Sequence, residues 1–137
     1  MARDGDLRAI FRRKMPQIDF TSIETGSTGR GIPDSNGCVN GVEFWVEFKQ
    51  TSAWAVRIRP EQCGWILRRC RHGGRVWIAV RRVREYSDEL WLVPGQLAAE
   101  LKAGGLNGLV AKSLGGVRWA GGPVKWDWDQ IAEVLVS

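Results

Sequence analysis

The chain has 137 residues, 44% of them hydrophobic, with a formal net charge of +5; that length suits one domain with a core of its own. No apolar run reaches the roughly 18 residues that span a bilayer, residues 1–6 lack the apolar segment of a secretory signal, and Cys38, Cys63 and Cys70 have no Cys-x-x-Cys spacing, which argues against a zinc site or disulfide framework and for a reducing cytoplasm. Residues 1–85 carry sixteen Lys and Arg against nine Asp and Glu, and residues 86–137 four against six, so a polyanion such as nucleic acid is the expected partner of the first portion.

Residues 3–15 read as a helix. Leu7, Ile10, Phe11 and Met15 form its apolar stripe, Asp4 or Asp6 can cap it, and Pro16 stops it. Arg8, Arg12, Arg13 and Lys14 fall on the other faces, as a solvated surface or a DNA contact. Residues 17–24 read as a first strand. A polar loop follows over 25–31, where Gly26, Gly29 and Gly31 are interleaved with Ser27, Thr28 and Arg30. Such a loop can bring backbone N–H groups and hydroxyls close to phosphates. It lacks the Gly-Lys-Ser/Thr ending of a P-loop, and a plain turn is the alternative.

Residues 31–50 hold the densest signal. Asn40-Gly41 predicts a two-residue type I′ turn, which needs positive φ at both positions. Val39 then faces Val42, Cys38 faces Glu43, and Asp34 falls opposite Glu47, with Cβ atoms roughly 4.5–5.5 Å apart on one side of the sheet. Lys49 shares that side by the strand's period of two, and so does Trp45, which can stack on a base or line a groove. Phe44, Val46 and Phe48 turn the other way as an apolar face. Two opposed carboxylates destabilise a sheet, and a divalent cation between them removes that conflict, since hard cations such as Mg²⁺ take oxygen ligands. A surface hairpin with Glu47 and Lys49 merely solvated is the competing reading, and it gives the placement of Asp34 no benefit.

Residues 51–58 form a connection with some strand character, and Arg57 and Arg59 on the way out of it are cations expected to meet DNA. Pro60 opens a helix over 61–71, closed by Gly73-Gly74. Cys63, Ile66, Leu67 and Cys70 make its buried stripe, and Arg68, Arg69 and Arg71 face outward. Gln62, on the first turn, can reach back to the charged patch. Residues 75–81 read as a central strand buried on both faces, and the strand-helix-strand order predicts parallel pairing. Residues 82–88 read as a polar connection and 89–93 as a further strand. Pro94-Gly95 starts a helix over 96–103 that Gly104-Gly105 ends. Residues 106–126 predict only a small hairpin around Gly115-Gly116 or Gly121-Gly122, and Asp127 or Asp129 caps a last helix bearing Ile131, Val134 and Leu135.

Gly31-x-Pro33-Asp34, twelve intervening residues and Glu47-x-Lys49 together resemble the signature of the PD-(D/E)XK nuclease superfamily. The Gln62 helix, Gly73-Gly74 and the strand through Val76, Trp77, Ile78, Ala79 and Val80 are similar to its resolvase-like branch, near the VRR-NUC domains of phages and bacteria and the Holliday-junction resolvases. The resemblance covers roughly residues 20–83 and leaves 86–137 as a C-terminal extension of a single nuclease domain spanning 1–137. It implies an α/β (α+β) fold with a restriction-endonuclease-like αβββαβ core, a mixed sheet flanked by helices. It also implies Mg²⁺-dependent hydrolysis of DNA phosphodiester bonds, with Mn²⁺ as a substitute.

In that reading Asp34, Glu47 and the backbone carbonyl of Phe48 hold the metal, and Gln62 supports them. Lys49 orients the attacking water, offsets charge in the transition state, or acts as a base with a lowered pKa; the sequence leaves these three open. Relatives place a further acid on the N-terminal helix; here Glu24 ranks above Asp4 and Asp6 as a third carboxylate. Ser27 or Thr28 would supply the hydroxyl that resolvase relatives use ahead of the catalytic aspartate, with Arg30 beside them to contact DNA. The expected function is a metal-dependent endonuclease selective for branched DNA such as a Holliday junction. A homodimer would match the junction's two cleavage points, in the cytoplasm of a bacterial or phage-infected cell. A restriction-type or end-processing nuclease shares the chemistry, and a catalytically silent DNA-binding module shares the fold; the intact Asp34, Glu47 and Lys49 argue against the latter.

Overall fold

Six strands lie side by side in the order of the chain: β1 (Asp19–Ser22), β2 (Ser35–Val39), β3 (Val42–Thr51), β4 (Val76–Arg84), β5 (Ser87–Pro94) and β6 (Val117–Trp119). The computed structural model describes residues 4–24 and 31–137. Neighbouring strands are antiparallel except β3 and β4, which run parallel across the crossover helix α2 (Pro60–Arg71). Helices α1 (Asp4–Lys14), α3 (Ala98–Ala111) and α4 (Trp128–Leu135) complete an α+β fold whose first six elements run α1-β1-β2-β3-α2-β4, the αβββαβ order and mixed sheet expected.

Two cores follow from the period of two along the strands. On one face Phe44, Val46, Phe48 and Ala79 meet Leu7, Phe11 and Met15 of α1 and Ile131 and Leu135 of α4. On the other, Ile78, Val80 and Trp91 meet Ile66 of α2 and Leu101, Leu106 and Leu109 beyond. Ile78, Ala79 and Val80 are fully buried, so β4 is the central strand that its apolar run predicts. In α4, Asp127 is the N-cap, its Oδ1 accepting from the Gln130 N–H at 3.0 Å. Most of the tryptophans belong to these cores, and several anchor their indole N–H: Trp77 donates to the Leu135 carbonyl at 3.0 Å and Trp119 to Gln130 Oε1 at 2.6 Å. Among the described residues no helix is long and apolar enough to cross a membrane, and all three cysteines are free thiols.

Three expectations change. Residues 82–88 are not a polar connection: β4 runs to Arg84 and β5 starts at Ser87, with Arg82 paired to Glu89 and Val83 to Asp88. Opposite charges facing across a strand pair stabilise it; Arg81 forms a bidentate pair with Asp88 at 2.9 and 2.7 Å. The helix over 96–103 does not end at Gly104-Gly105. It bends there, Gly105 adopting φ 68° and ψ −169°, and continues to Ala111. That bend brings the Leu106 N–H onto the Trp54 carbonyl at 2.9 Å. The hairpin within 106–126 is replaced by β6, whose partner is β5.

Candidate active site

The β2–β3 hairpin turns as its sequence dictates, Asn40 at φ 50° and Gly41 at φ 78°. The ladder runs from Val39 opposite Val42 to Ser35 opposite Val46 and stops there, so Asp34 lies one step beyond it. Its carbonyl accepts from the Ile23 N–H at 2.8 Å, which ties it to the end of β1. Its carboxylate turns into the space that β2 has vacated, where Oδ2 accepts from the Phe48 N–H at 2.9 Å. The repulsion expected of an Asp34–Glu47 pair is thereby relieved by a backbone donor. In a strand the N–H and C=O of one residue point to the same edge, so the Phe48 carbonyl is directed to the side where Asp34 sits.

Glu47 is buried, 3% exposed, at the foot of α2. Its Oε2 accepts from Gln62 Nε2 at 2.9 Å and lies 3.3 Å from Lys49 Nζ. The ammonium in turn donates to Gln62 Oε1 at 3.1 Å, the oxygen that also accepts from the Arg59 N–H at 3.0 Å. Gln62 thus does two jobs. Its amide closes the first turn of α2 in the manner of a capping box, and it locks the acid and the ammonium of β3 in one arrangement. The segment leading to Asp34 is pressed against the same turn: Gly31, at φ +81°, leaves so little room that a Cβ would run into the Glu61 carbonyl group and sit 3.1 Å from the Gln62 nitrogen.

A cleft of about 410 Å³ opens at this place, and Asp34, Glu47, Phe48, Lys49 and Gln62 all line it. Arg8 of α1 and Arg57 and Arg59 of the β3–α2 connection complete its wall. Four cations therefore surround two carboxylates. Such a cleft can hold a hard cation between oxygen donors and an anionic, oxygen-rich group against the arginines. Because Glu47 and Lys49 are withdrawn from water, their charges act at greater strength than exposed ones would.

The residues expected from sequence divide into three groups. Asp34, Glu47, Phe48, Lys49, Arg57, Arg59 and Gln62 come together. Trp45 is on the Glu47 face of β3 but packs beneath α2, its ring 5.2 Å from that of Trp65, with the Arg69 guanidinium 5.4 Å from its centre; it is a core residue and not a wall of the cleft. Glu24 is exposed past the end of β1, and among the described residues no three Asp, Glu, His or Cys side chains gather as a metal site, so Glu24 does not join the pair. Ser27, Thr28 and Arg30 lie outside the described residues. Arg8 is the cleft residue that sequence reasoning placed with the general helix surface. Its position next to Leu7, on the border of the buried stripe, was the available signal. Neither a protein-family model nor a curated protein matches this chain, and the site's chemistry is argued from its geometry.

Proposed function

We propose that this cleft is the active site of a metal-dependent DNA endonuclease of the PD-(D/E)XK type, with branched DNA such as a Holliday junction as substrate. The observation that carries the reading is the triangle of Glu47, Lys49 and Gln62 beside Asp34, buried in a cleft with three arginines on its rim. A purely structural hairpin gains nothing from burying an acid and an ammonium together, because desolvating both costs more than a surface pair returns.

The donor set fits Mg²⁺: two carboxylates and a strand carbonyl are all hard oxygen ligands, and this ion needs few protein ligands when waters and a phosphate fill its shell. Asp34, Glu47 and the Phe48 carbonyl would hold it. When bound, the ion supplies Lewis acidity at the phosphate and a more acidic coordinated water. The chain's own residues do the rest. Lys49 offers a positive charge held in place by Glu47 and Gln62, where it offsets the charge that accumulates on the phosphate during attack. Gln62 keeps that ammonium from wandering. Arg8, Arg57 and Arg59 draw the backbone into the cleft. A homodimer would present two clefts to a four-way junction, whose cleavage points are related by symmetry.

The test is to incubate the protein with a four-way junction, a flap, linear duplex and single-stranded DNA, each with Mg²⁺ or EDTA. Mg²⁺-dependent cutting of the branched substrates, lost in EDTA and in Lys49→Ala, is expected. No metal-dependent cutting of any substrate, or full cutting by Lys49→Ala, sinks the reading. Cutting of linear duplex at defined sites would assign a restriction-type substrate to the same chemistry.

A further inference from the structure

We infer that the outward face of α2 is the track on which the phosphate backbone of duplex DNA leaves the cleft, with Gly64 as the point of closest approach. The inference rests on the nuclease reading of the cleft and extends it to a surface outside it. Helix α2 starts at the cleft: Arg57 and Arg59 lead into it and Gln62 sits on its first turn. Its inner side is committed to the fold, with Gln62, Trp65 and Ile66 buried. Arg69 is committed too, its guanidinium 4.6 Å from the centre of the Trp65 ring.

The outer side is different. Glu61, Gly64, Arg68 and Arg71 are exposed and follow at spacings of three and four, so they form one stripe. Arg75 is exposed just past the helix end. Among the described residues Arg68 and Arg71 meet no carboxylate, whereas Glu61, the one acid on the stripe, lies 3.6 Å from Arg59. At 1.5 Å of rise per residue, Arg68 and Arg71 stand about 6 and about 10 Å along the axis from Gly64. That reach matches a few successive phosphates of one strand, spaced at about 3.4 Å of duplex axis.

Gly64 is the second observation. Glycine is the poorest helix former after proline, yet here it occupies the middle of an uninterrupted helix. A Cβ at Gly64 would meet nothing within 4 Å. By contrast Gly31 and Gly95 are pressed against neighbouring atoms, and the glycines of α3 surround its bend. The packing of this chain therefore gives no reason for glycine at 64. Close approach of another backbone gives one, and the arginines on either side make that backbone a polyanion.

The experiment is fluorescence anisotropy with a labelled linear duplex in EDTA, so that nothing is cut, across a KCl series, beside thermal melting of each variant. Arg68→Ala/Arg71→Ala should weaken binding about tenfold and reduce the slope of log K against log[KCl] by about 1.8, the release of two phosphate contacts. Gly64→Gln should raise the melting temperature, because the helix gains a better former, while weakening duplex binding severalfold. A merely structural role for Gly64 could not move the two readouts in opposite directions. Lys125→Ala, an exposed cation in the C-terminal segment, should change neither. A wild-type slope in the double variant, or wild-type affinity in a stabilised Gly64→Gln, overturns the track. If the wild type cuts DNA with Mg²⁺ and the variants bind unchanged, the track alone fails. If the slope falls as expected but no substrate is ever cut, the track stands and the nuclease reading fails.

Discussion

Lys49 and Glu47 lie side by side with exposures of 14% and 4%, so removing either leaves the other partly desolvated and facing a hole. For Lys49→Ala the fold has a way out, since Glu47 can take up a proton and keep its hydrogen bond from Gln62. Catalysis has none. Loss of one preorganised charge in a sheltered site costs about 2.7–4 kcal/mol of transition-state stabilisation, or about 10²–10³ in rate; single-turnover cutting measures it, with duplex binding in EDTA as the control for folding and affinity. Asp34→Asn separates holding a metal from holding the backbone. The amide can still accept from the Phe48 N–H, as Asp34 Oδ2 does at 2.9 Å, but it offers no charge to a dication. Mg²⁺ that binds only the native state raises the melting temperature. That rise is expected in the wild type and should vanish in Asp34→Asn and Glu47→Gln. An equal rise in all three would place the metal elsewhere.

Where two elements meet, the fold sets the distance between the carboxylates and the helix, and Gly31 is the contact. It carries a positive φ and lies where a Cβ would overlap the Glu61 carbonyl. Gly31→Ala therefore adds strain to a clash, about 1–3 kcal/mol for the backbone conformation alone, and it pushes the Asp34 segment off the turn that carries Gln62. Urea denaturation should show the loss of stability, and Mg²⁺-dependent cutting should fall further than the small fraction of unfolded protein explains. Cutting at the wild-type rate would mean that this contact does not set the geometry. These elements also show what a sequence can reveal. The hairpin was legible because Asn40-Gly41 encodes its turn locally, and the register to Asp34 and Glu47 then follows from counting. The extent of β4 and β5 was not legible, because Arg81, Arg82, Asp88 and Glu89 look like a solvated loop until pairing across the sheet sets opposite charges together. Trp45 was read correctly for its side of the strand. Its role was missed because the ring that covers it, Trp65, comes from a helix whose docking no local pattern specifies.

Across the whole molecule, the portion beyond the family resemblance belongs to the same folding unit as the site. Strand β5 sends Leu90 and Leu92 into one core and Trp91 and Val93 into the other. Beside them Glu89, 2% exposed, accepts from Trp91 Nε1 at 3.0 Å, Arg118 Nε at 2.7 Å and Arg82 at 3.4 Å. Arg82 also donates to the Ala53 carbonyl at 3.0 Å and stacks 3.7 Å from the centre of the Trp54 ring. The connection that carries Arg57 and Arg59 is thus fastened by residues of the second half. Burial pushes the Glu89 carboxyl upward, but the hydrogen bonds from Trp91 and Arg118 and the charges of Arg118 and Arg82 outweigh it and hold the group below its ordinary value of 4.5. A depressed carboxyl stabilises the fold above its unfolded pKa, and that contribution disappears as pH falls through the folded value. Between about pH 6 and about pH 3 the wild type should lose more urea stability than Glu89→Gln, which has no proton to take up there; parallel losses would show that this cluster does not report the acid limb. The same connectivity decides whether residues 1–85, which contain every cleft residue, can stand alone. Removing the rest strips β4 of its antiparallel partner over eight residue pairs and opens both cores along a central strand. A chain of 1–85 should therefore show no cooperative urea transition and no dispersed amide spectrum, with or without Mg²⁺. A cooperative transition in that fragment would make the C-terminal portion an addition to a finished domain, and its fastening of the arginine loop dispensable.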